Sequence, residues 1–522
     1  DLHKAIRRQR QMCIRDRGHT RSIIDPMYDA GIRLLHVGIN SACPLPSVPT
    51  FCRWRSPSGN DLLLVYQKDY GEDEVLPDGK TVVSINFTGD NHGPHSYERV
   101  KKIYADLRKR YPQAQLVGAS FNDVARELLL IKKDLPVVTS EIGDTWIFGY
   151  GGAPIRMAKF RAVSRLYSQW LNEGKIKKDS DVALDFAAEL GLIAEHTQGV
   201  DVKTHLRQWD KYDMDKFLKG RSEGVFSMAE ASWKEIDNYI DSAIAFLPAS
   251  LQKEAREVVA EVDKVKLEDN SKMKPMERKR WEQPIAGGMT LAGLSYQMFD
   301  GDDYDDFQNR YLRARYGWAL DDLGKRGLKE SHAVSVTLYA QTMAQSVRKE
   351  KKGTRIITEL RFPENEKVDK RVYPERIQVN CFTTKNGKRS EVALTIYGKP
   401  AVRLPESYWL SFTVPGIESV IAEKMGERVN LMDVVEKGNR QMHGIDRYVD
   451  LITSGETIRI SSKEAFLLNV GEAQGLNYST NYPDKRKGVH FNLNNNLWGT
   501  NFSMWNEGSL TYHFVIETLN RK

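Results

Sequence analysis

Residues 135–161 read LPVVTSEIGDTWIFGYGGAPIRMAKFR. The apolar run Pro136, Val137, Val138 predicts a buried strand that ends in a polar cluster of Glu141, Gly143, Asp144 and Trp146. A glycine-rich turn, residues 149–152, leads into a helix. Two carboxylates, an aromatic ring and flexible backbone at the end of a strand are the groups that a sugar-processing site needs, and sites on rigid scaffolds usually sit in such loops. The same letters also describe a strand-to-helix loop with a solvated Glu and Asp, and the stretch alone divides the two readings evenly.

On the N-terminal side the pattern alternates. Residues 21–30 predict a helix and 33–39 a strand. Residues 51–55 and 61–67 predict a hairpin around Pro57-Ser58-Gly59-Asn60, where Gly and Asn permit the turn. Strands over 81–87, 115–119 and 135–139 alternate with helices over 96–110 and 122–132. Strands separated by helices predict parallel strand–helix units. Each strand runs into polar or glycine-containing sequence: Asn40-Ser41, Gly89-Asp90-Asn91-His92, Ser120, and residues 141–146. In parallel α/β folds such ends converge on one face and build the site. The strands are too few for a complete barrel, so a partial TIM-like (β/α) barrel is expected over residues 18–153.

On the C-terminal side, residues 154–300 read as helical. Phe160, Val163, Tyr167, Trp170 and Leu171 recur at helical spacing, as do Phe186, Leu190 and Ile193, a stripe that reaches His196. With residues 226–246 and the charged segment 251–282, this predicts a helical bundle. Pro284 and Gly287-Gly288 break the pattern. From about residue 330 the period changes to two, with strands at 334–339, 355–360, 377–382, 392–397, 409–414, 457–460, 489–493 and 510–517. Many short strands with turns between them predict a β-sandwich over residues 301–522.

A chain of 522 residues is too long for one core, and its 40% hydrophobic and 10% aromatic content indicates folded domains. The 77 basic and 70 acidic residues leave a net charge of only +7, a slight excess on a long chain that does not imply nucleic acid as partner. No apolar run approaches the roughly 20 residues of a membrane span. Cys13, Cys43, Cys52 and Cys381 show no metal-type spacing. A Cys43–Cys52 pair and free thiols fit equally well. Residues 1–17, DLHKAIRRQRQMCIRDR, lack the apolar core of a signal peptide. The piece MCIRDR resembles translated adapter sequence at the ends of assembled metagenomic fragments, so a non-native leader on an N-terminally truncated chain is expected.

Five groups of residues can carry chemistry. Asp90, with Asn91 beside it, lies between Gly89 and Gly93 after a strand, where a carboxylate can bind sugar hydroxyls; a turn before a helix capped by Ser96 explains the same letters. Glu141 and Asp144 can supply the two carboxyl groups of a glycosidase, one a proton donor and the other a nucleophile or base, with Trp146 stacking on a sugar ring. His196 continues an apolar helical stripe and by its letters alone fits packing better than ligation, although a neutral imidazole can hold a divalent cation. Asp201 and Lys203 nearby suit either a ligand or a surface ion pair. His19 can point into the site, or merely precede a helix capped by Thr20. In HFNLNNNLWGTNFSMW, residues 490–505, aromatics interleaved with Asn suit a carbohydrate-facing surface, and ordinary turns and core explain them as well.

Several motifs coincide. The pieces GHTRSIIDPMYDAGIRLLHVGIN, FTGDNHGP, LPVVTSEIGDTWIFG, AEHTQGVDVKTHL and GVHFNLNNNLWGTNFSMW appear in order through residues 18–522. With them the chain resembles an uncharacterised branch, a domain of unknown function, related to the glycoside hydrolase family 38 α-mannosidases. The resemblance implies a TIM-like barrel, a helical bundle and a C-terminal β-sandwich. It implies a retaining hydrolase that uses a divalent metal, zinc, to hold sugar hydroxyls of a carbohydrate substrate. On it, the late metal-binding His falls on His196, the acid/base near Asp144 with Glu141 as the alternative, and the Gly-Asp loop on Asp90. The family's first-strand His-x-Asp pair has no counterpart here. Its nucleophilic Asp would fall on Arg15, with Asp16 one place off, so the metal site is expected to be incomplete and this chain inactive. Whether the protein is an enzyme is thereby left open. A non-catalytic carbohydrate-binding protein is the alternative, and a metal-dependent deacetylase on a related barrel a third. The sugar, the linkage, the oligomeric state and the compartment, whether secreted, periplasmic or cytoplasmic, have no signature in the sequence.

Overall fold

The computed structural model describes residues 19–88, 93–144, 146–195 and 198–519. The chain divides into two units. The first is built from the residues up to Gly143 together with Leu312–Ala314 and Asp433–Gly438; the second takes Asp144–Tyr311, Arg315–Met432 and the chain from Asn439 onward.

In the first unit the predicted run of parallel strand–helix units gives way to a four-stranded mixed sheet, in the order Leu34–Ile39, Asp61–Lys68, Phe51–Arg55, Val137–Val138. The outer pairs are parallel and the hairpin pair is antiparallel. The strand Asp61–Lys68 is buried on both faces from Leu62 to Gln67. Its Leu63 and Val65, with Phe51 of the neighbouring strand, share a core with Ala125 and Leu128 of the helix Phe121–Leu130. The helix Tyr97–Arg110 starts as expected, with the Ser96 hydroxyl accepting from the Arg99 amide. Three expectations are corrected. The strand predicted at 81–87 shrinks to Val82–Ser84, which pairs antiparallel with Asp73–Val75 in a ladder of its own. Residues 115–119 form no strand, and Val117 is 70% exposed. Val137–Val138 is an edge strand rather than a buried one, since it ends the sheet and Pro136 and Val137 are exposed.

In the second unit, Pro154–Asn172, Asp181–Leu190, Met214–Ser222, Ser227–Ala245 and Ala249–Asp263 are helices. Pro154 stands at the first turn of its helix, where a missing N–H is harmless. The predicted stripe is the core: Val163, Trp170, Phe186 and Ile193 pack with Ile240 and Ile244. Each such fully buried side chain contributes about 2 kcal/mol of transfer free energy. The helical region stops at Asp263 rather than near residue 300. Strands Lys274–Pro275, Gln283–Pro284 and Thr290–Met298 follow. Thr290–Met298 is buried on both faces through most of its length, so its letters carry no alternation to read.

Two antiparallel sheets make up the rest. One, of seven strands, runs Val336–Tyr339, Thr290–Met298, Glu406–Thr413, Val489–Asn495, Leu467–Val470, Met442–Gly444, with Gln283–Pro284 paired to Thr290–Met298. The other has ten strands and centres on Gly508–Leu519, which lies between Thr457–Ser462 and Arg389–Lys399. The sheets meet through Phe412 and Phe491 of the first and Phe514 of the second, with ring centroids 5.0–5.7 Å apart. The helices Gly301–Tyr311 and Gly317–Asp322 interrupt the region predicted to be all strand.

Candidate functional site

The boundary between the two units falls between Gly143 and Asp144, so the two predicted carboxylates are held separately. Glu141 belongs to the first unit and is 3% exposed. Its backbone is locked: its N–H donates to the Asp433 carbonyl at 2.9 Å and its carbonyl accepts from the Val435 amide at 3.0 Å. On the other side, Ile142 and His19 exchange backbone hydrogen bonds of 2.7 and 3.1 Å. The Glu141 Oε1 atom accepts from the Arg21 amide at 2.7 Å and the Thr20 hydroxyl at 3.1 Å. The carboxylate therefore faces the start of the helical segment that begins at Arg21, where negative charge offsets unsatisfied N–H groups. The Thr20 cap expected from the sequence is present, its hydroxyl accepting from the Ser22 amide.

His19 is thus brought beside Glu141. Its imidazole packs edge-on against Trp54, with centroids 6.3 Å apart. The Nδ1 atom is buried without a partner, and burial pushes the imidazole down to about 4, so the ring is neutral at pH 7. Trp54 in turn donates its indole N–H to the Ser140 carbonyl at 3.0 Å. Asp433, which accepts from the Ser140 hydroxyl at 2.6 Å and pairs with Arg21 at 3.6 Å, completes this corner. No sequence signal places Asp433 there, because the contact spans almost three hundred residues.

Asp144 lies in the second unit. The Tyr311 hydroxyl donates to its two carboxylate oxygens at 3.0 and 3.2 Å, and the Trp146 amide donates to Oδ1 at 3.0 Å. Tyr311 is 1% exposed and sits among rings, stacked on Phe307 and edge-on to Tyr478. Phe307 meets Trp498, which stacks on Trp146 at 6.4 Å. An aromatic wall therefore backs Asp144, whose carboxylate two donors orient. Tyr311 was invisible in the sequence, since it lies 167 residues from Asp144 and comes from a helix that the strand period did not announce.

Trp146 is 8% exposed and is covered by Trp498 and Phe502. The ring expected to lie against a sugar is already spent on protein packing. The glycine-rich turn has the same explanation. Residues Trp146–Gly152 form a 3-10 helix that lies close to the chain around the strand Val489–Asn495. A Cβ on Gly149 would come within 2.3 Å of the Phe502 ring, and one on Gly151 within 2.3 Å of the Asn495 amide nitrogen. The glycines permit close approach of two protein segments rather than of a ligand.

Of the two readings of the asparagine-rich stretch, the structure shows the interior one. Asn492, Asn494, Asn495 and Asn496 are each at most 3% exposed. The Asn496 amide donates to the carbonyls of Val402, Leu404 and Met504, and Asn495 donates to the Phe148 carbonyl at 2.9 Å. These amides satisfy backbone groups where strands end inside the protein. Asp201 and Lys203 form the ion pair that was one of their two expected roles, at 3.3 Å, with Lys203 also held by Asp322.

Asp90, Asn91 and His196, like Arg15 and Asp16, lie outside the described residues. Among the described residues no group of three or more His, Cys, Asp or Glu side chains is placed to hold a metal ion. They do not, by themselves, fit the zinc that the resemblance implies. Cys43 and Cys52 are both buried and do not pair with each other, and burial pushes the Cys52 thiol up to about 12. Among the described residues no helix is long and apolar enough to cross a membrane.

Residues 151–282, which hold the helical region, match a family model described as "Domain of unknown function (DUF5054)". The expected kinship with a domain of unknown function is therefore found on that segment. No curated protein matches the sequence. Two solved structures are similar to the chain. One is an α-mannosidase from Enterococcus faecalis V583, with TM-score 0.47 and 9% identity, covering 97% of this chain and 73% of that one. The other is a protein of glycosyl hydrolase family 38 from Enterococcus faecalis, with TM-score 0.42 and 10% identity, covering 96% and 71%.

Proposed function

We propose that the protein acts on glycans as a retaining glycoside hydrolase of the α-mannosidase type, with Asp144 as its acid/base. In this reading the contacts made by Tyr311 and the Trp146 backbone within the second unit hold Asp144 in place. The observation that supports it is the orientation of Asp144 by two donors, the Tyr311 hydroxyl and the Trp146 amide, against a wall of aromatic rings. A carboxyl that must give a proton to a glycosidic oxygen and then take one from water has to be fixed in direction through both steps. Tyr311 suits both states, because its hydroxyl donates to the carboxylate and accepts from the carboxylic acid. Glu141, whose Oε1 accepts from the Thr20 hydroxyl and the Arg21 amide, is the alternative acid/base. Asp90 and Asn91 remain proposed sugar contacts, and His196 the proposed metal ligand. A divalent metal, when bound, would supply a positive centre for sugar hydroxyls; no role of Asp144 or Tyr311 depends on it.

The test is hydrolysis of aryl α-mannosides with and without added zinc, comparing the protein with Asp144→Asn. Turnover that falls by about 100-fold or more in the variant, with mannoside binding retained, supports the assignment. Such turnover also overturns the expectation that this chain is inactive; mannoside binding without turnover fits the inactive hydrolase and the carbohydrate-binding protein alike, and binding of glycans other than mannosides favours the latter.

A further inference from the structure

A second concave site lies in the unit that holds Asp144, between the chain around Val202, the turn after the helix Gly317–Asp322, and the segment Gly499-Thr500. It is a small cavity of about 20 Å³ that opens to solvent, with room only for a ligand of a few heavy atoms. Four cations line it: Lys203, Lys325, Arg326 and Arg403. Two are neutralised. Lys203 pairs with Asp201 and Asp322, and Arg326 with Asp321 at 3.7 Å. The other two are not. Lys325 donates to the Trp498 carbonyl at 3.1 Å and forms no ion pair with any described carboxylate. Arg403 is only 2% exposed, and its guanidinium lies over the Tyr212 ring at 4.1 Å and the Phe226 ring at 5.1 Å. Its hydrogen bond goes to the Trp209 carbonyl at 3.5 Å, and the one acid whose charge it feels is Asp210, which is half-exposed and pairs with Lys211 at 3.3 Å.

Two cations that line one pocket and form no ion pair with a described carboxylate leave an unbalanced charge, and buried charges are normally paired. The aromatic faces offset part of the imbalance at Arg403 but none at Lys325. Burial, with a smaller contribution from the Arg403 charge, pushes the Lys325 amine down to about 7. We propose that the pocket is a binding site for a small monovalent carboxylate, held between Lys325 and Arg403. The class follows from the surroundings. A planar carboxylate matches a guanidinium, and the small cavity, with Asp321 in its lining, disfavours bulkier polyvalent anions such as sulfate or phosphate. Binding favours the charged lysine, so it strengthens as pH falls through about 7.

Thermal unfolding of the full chain in sodium formate, chloride or sulfate at one ionic strength tests this. At pH 6, formate is expected to raise Tm by about 2 °C over the other two salts, with a smaller rise at pH 9. The rise is expected to vanish in Lys325→Met and to persist in Lys325→Arg, which keeps the charge. Equal Tm in the three salts shows that Lys325 is simply a neutral buried amine and overturns the proposal. An equal rise with chloride overturns the carboxylate assignment. A formate effect that survives Lys325→Met places the anion elsewhere and also overturns it.

Discussion

The Tyr311 hydroxyl bridges the two carboxylate oxygens of Asp144, at 3.0 and 3.2 Å. It joins a loop residue to the end of the helix Gly301–Tyr311. Removing the bridge leaves a charge-assisted hydrogen bond unmade. Tyr311→Phe is therefore expected to lower stability by about 1–2 kcal/mol. Asp144→Asn is expected to disturb the protein less than Asp144→Ala, because the amide oxygen still accepts from Tyr311. Urea unfolding of the four proteins checks the order.

Glu141 is expected to behave as a structural carboxylate. Loss of the acceptor for the Arg21 amide and Thr20 hydroxyl in Glu141→Ala should destabilise the segment from His19 to Asp29 by about 1–3 kcal/mol, while Glu141→Gln keeps an acceptor and loses less. Amide hydrogen exchange at Arg21 is the readout. Faster exchange in Glu141→Ala, and little change in Glu141→Gln, is the expected result.

Acid should weaken the fold through its buried histidines. Burial lowers His19 and His490 to about 4 and His443 to about 3, from an ordinary value of 6.5. Between those values the unfolded chain binds more protons than the native one. Their contribution is therefore complete above pH 6.5 and is lost as pH falls toward 3–4, on the order of 3 kcal/mol per histidine. Urea midpoints should fall between pH 7 and pH 4. His443→Gln should flatten that dependence, since an amide can still meet the Arg440 carbonyl that His443 contacts at 2.9 Å.

Lys399 and Glu406 form a buried ion pair at 2.6 Å, with side chains 4% and 1% exposed. Glu406 also accepts from the Tyr296 hydroxyl at 2.8 Å. Breaking one partner leaves the other charge stranded. Lys399→Met should cost about 3–5 kcal/mol, and the double change Lys399→Met with Glu406→Met should recover much of it. A double-mutant cycle in urea measures the difference.

Local patterning carried much of this architecture. Strands in the C-terminal half were legible because turn residues and alternation coincide, as in Gly353–Arg361, Arg376–Thr384 and Arg389–Lys399. The Trp170 and Phe186 helices were legible because one face of each is apolar. Thr290–Met298 escaped because both its faces are buried, and residues 115–119 were overread because an apolar run does not guarantee a partner strand. At the candidate site the sequence located Asp144, Glu141 and His19, and it left open whether their neighbours were ligand or protein. The fold filled those places with protein at Trp146, with its cover of Trp498, and at Asn495 and Asn496.

What the sequence by itself determined, then, is the amphipathic helices between residues 154 and 263 and the alternating strands of the C-terminal half. These are local properties, set by neighbours within a few residues. What only the tertiary structure decided is what each of those side chains touches. Tyr311 reaches Asp144, Asp433 reaches the Glu141 corner, and Arg403 shares a pocket with Lys325, across separations from 78 to some three hundred residues in the chain. Such contacts follow from how packed layers close on each other, and no periodicity in the letters encodes them.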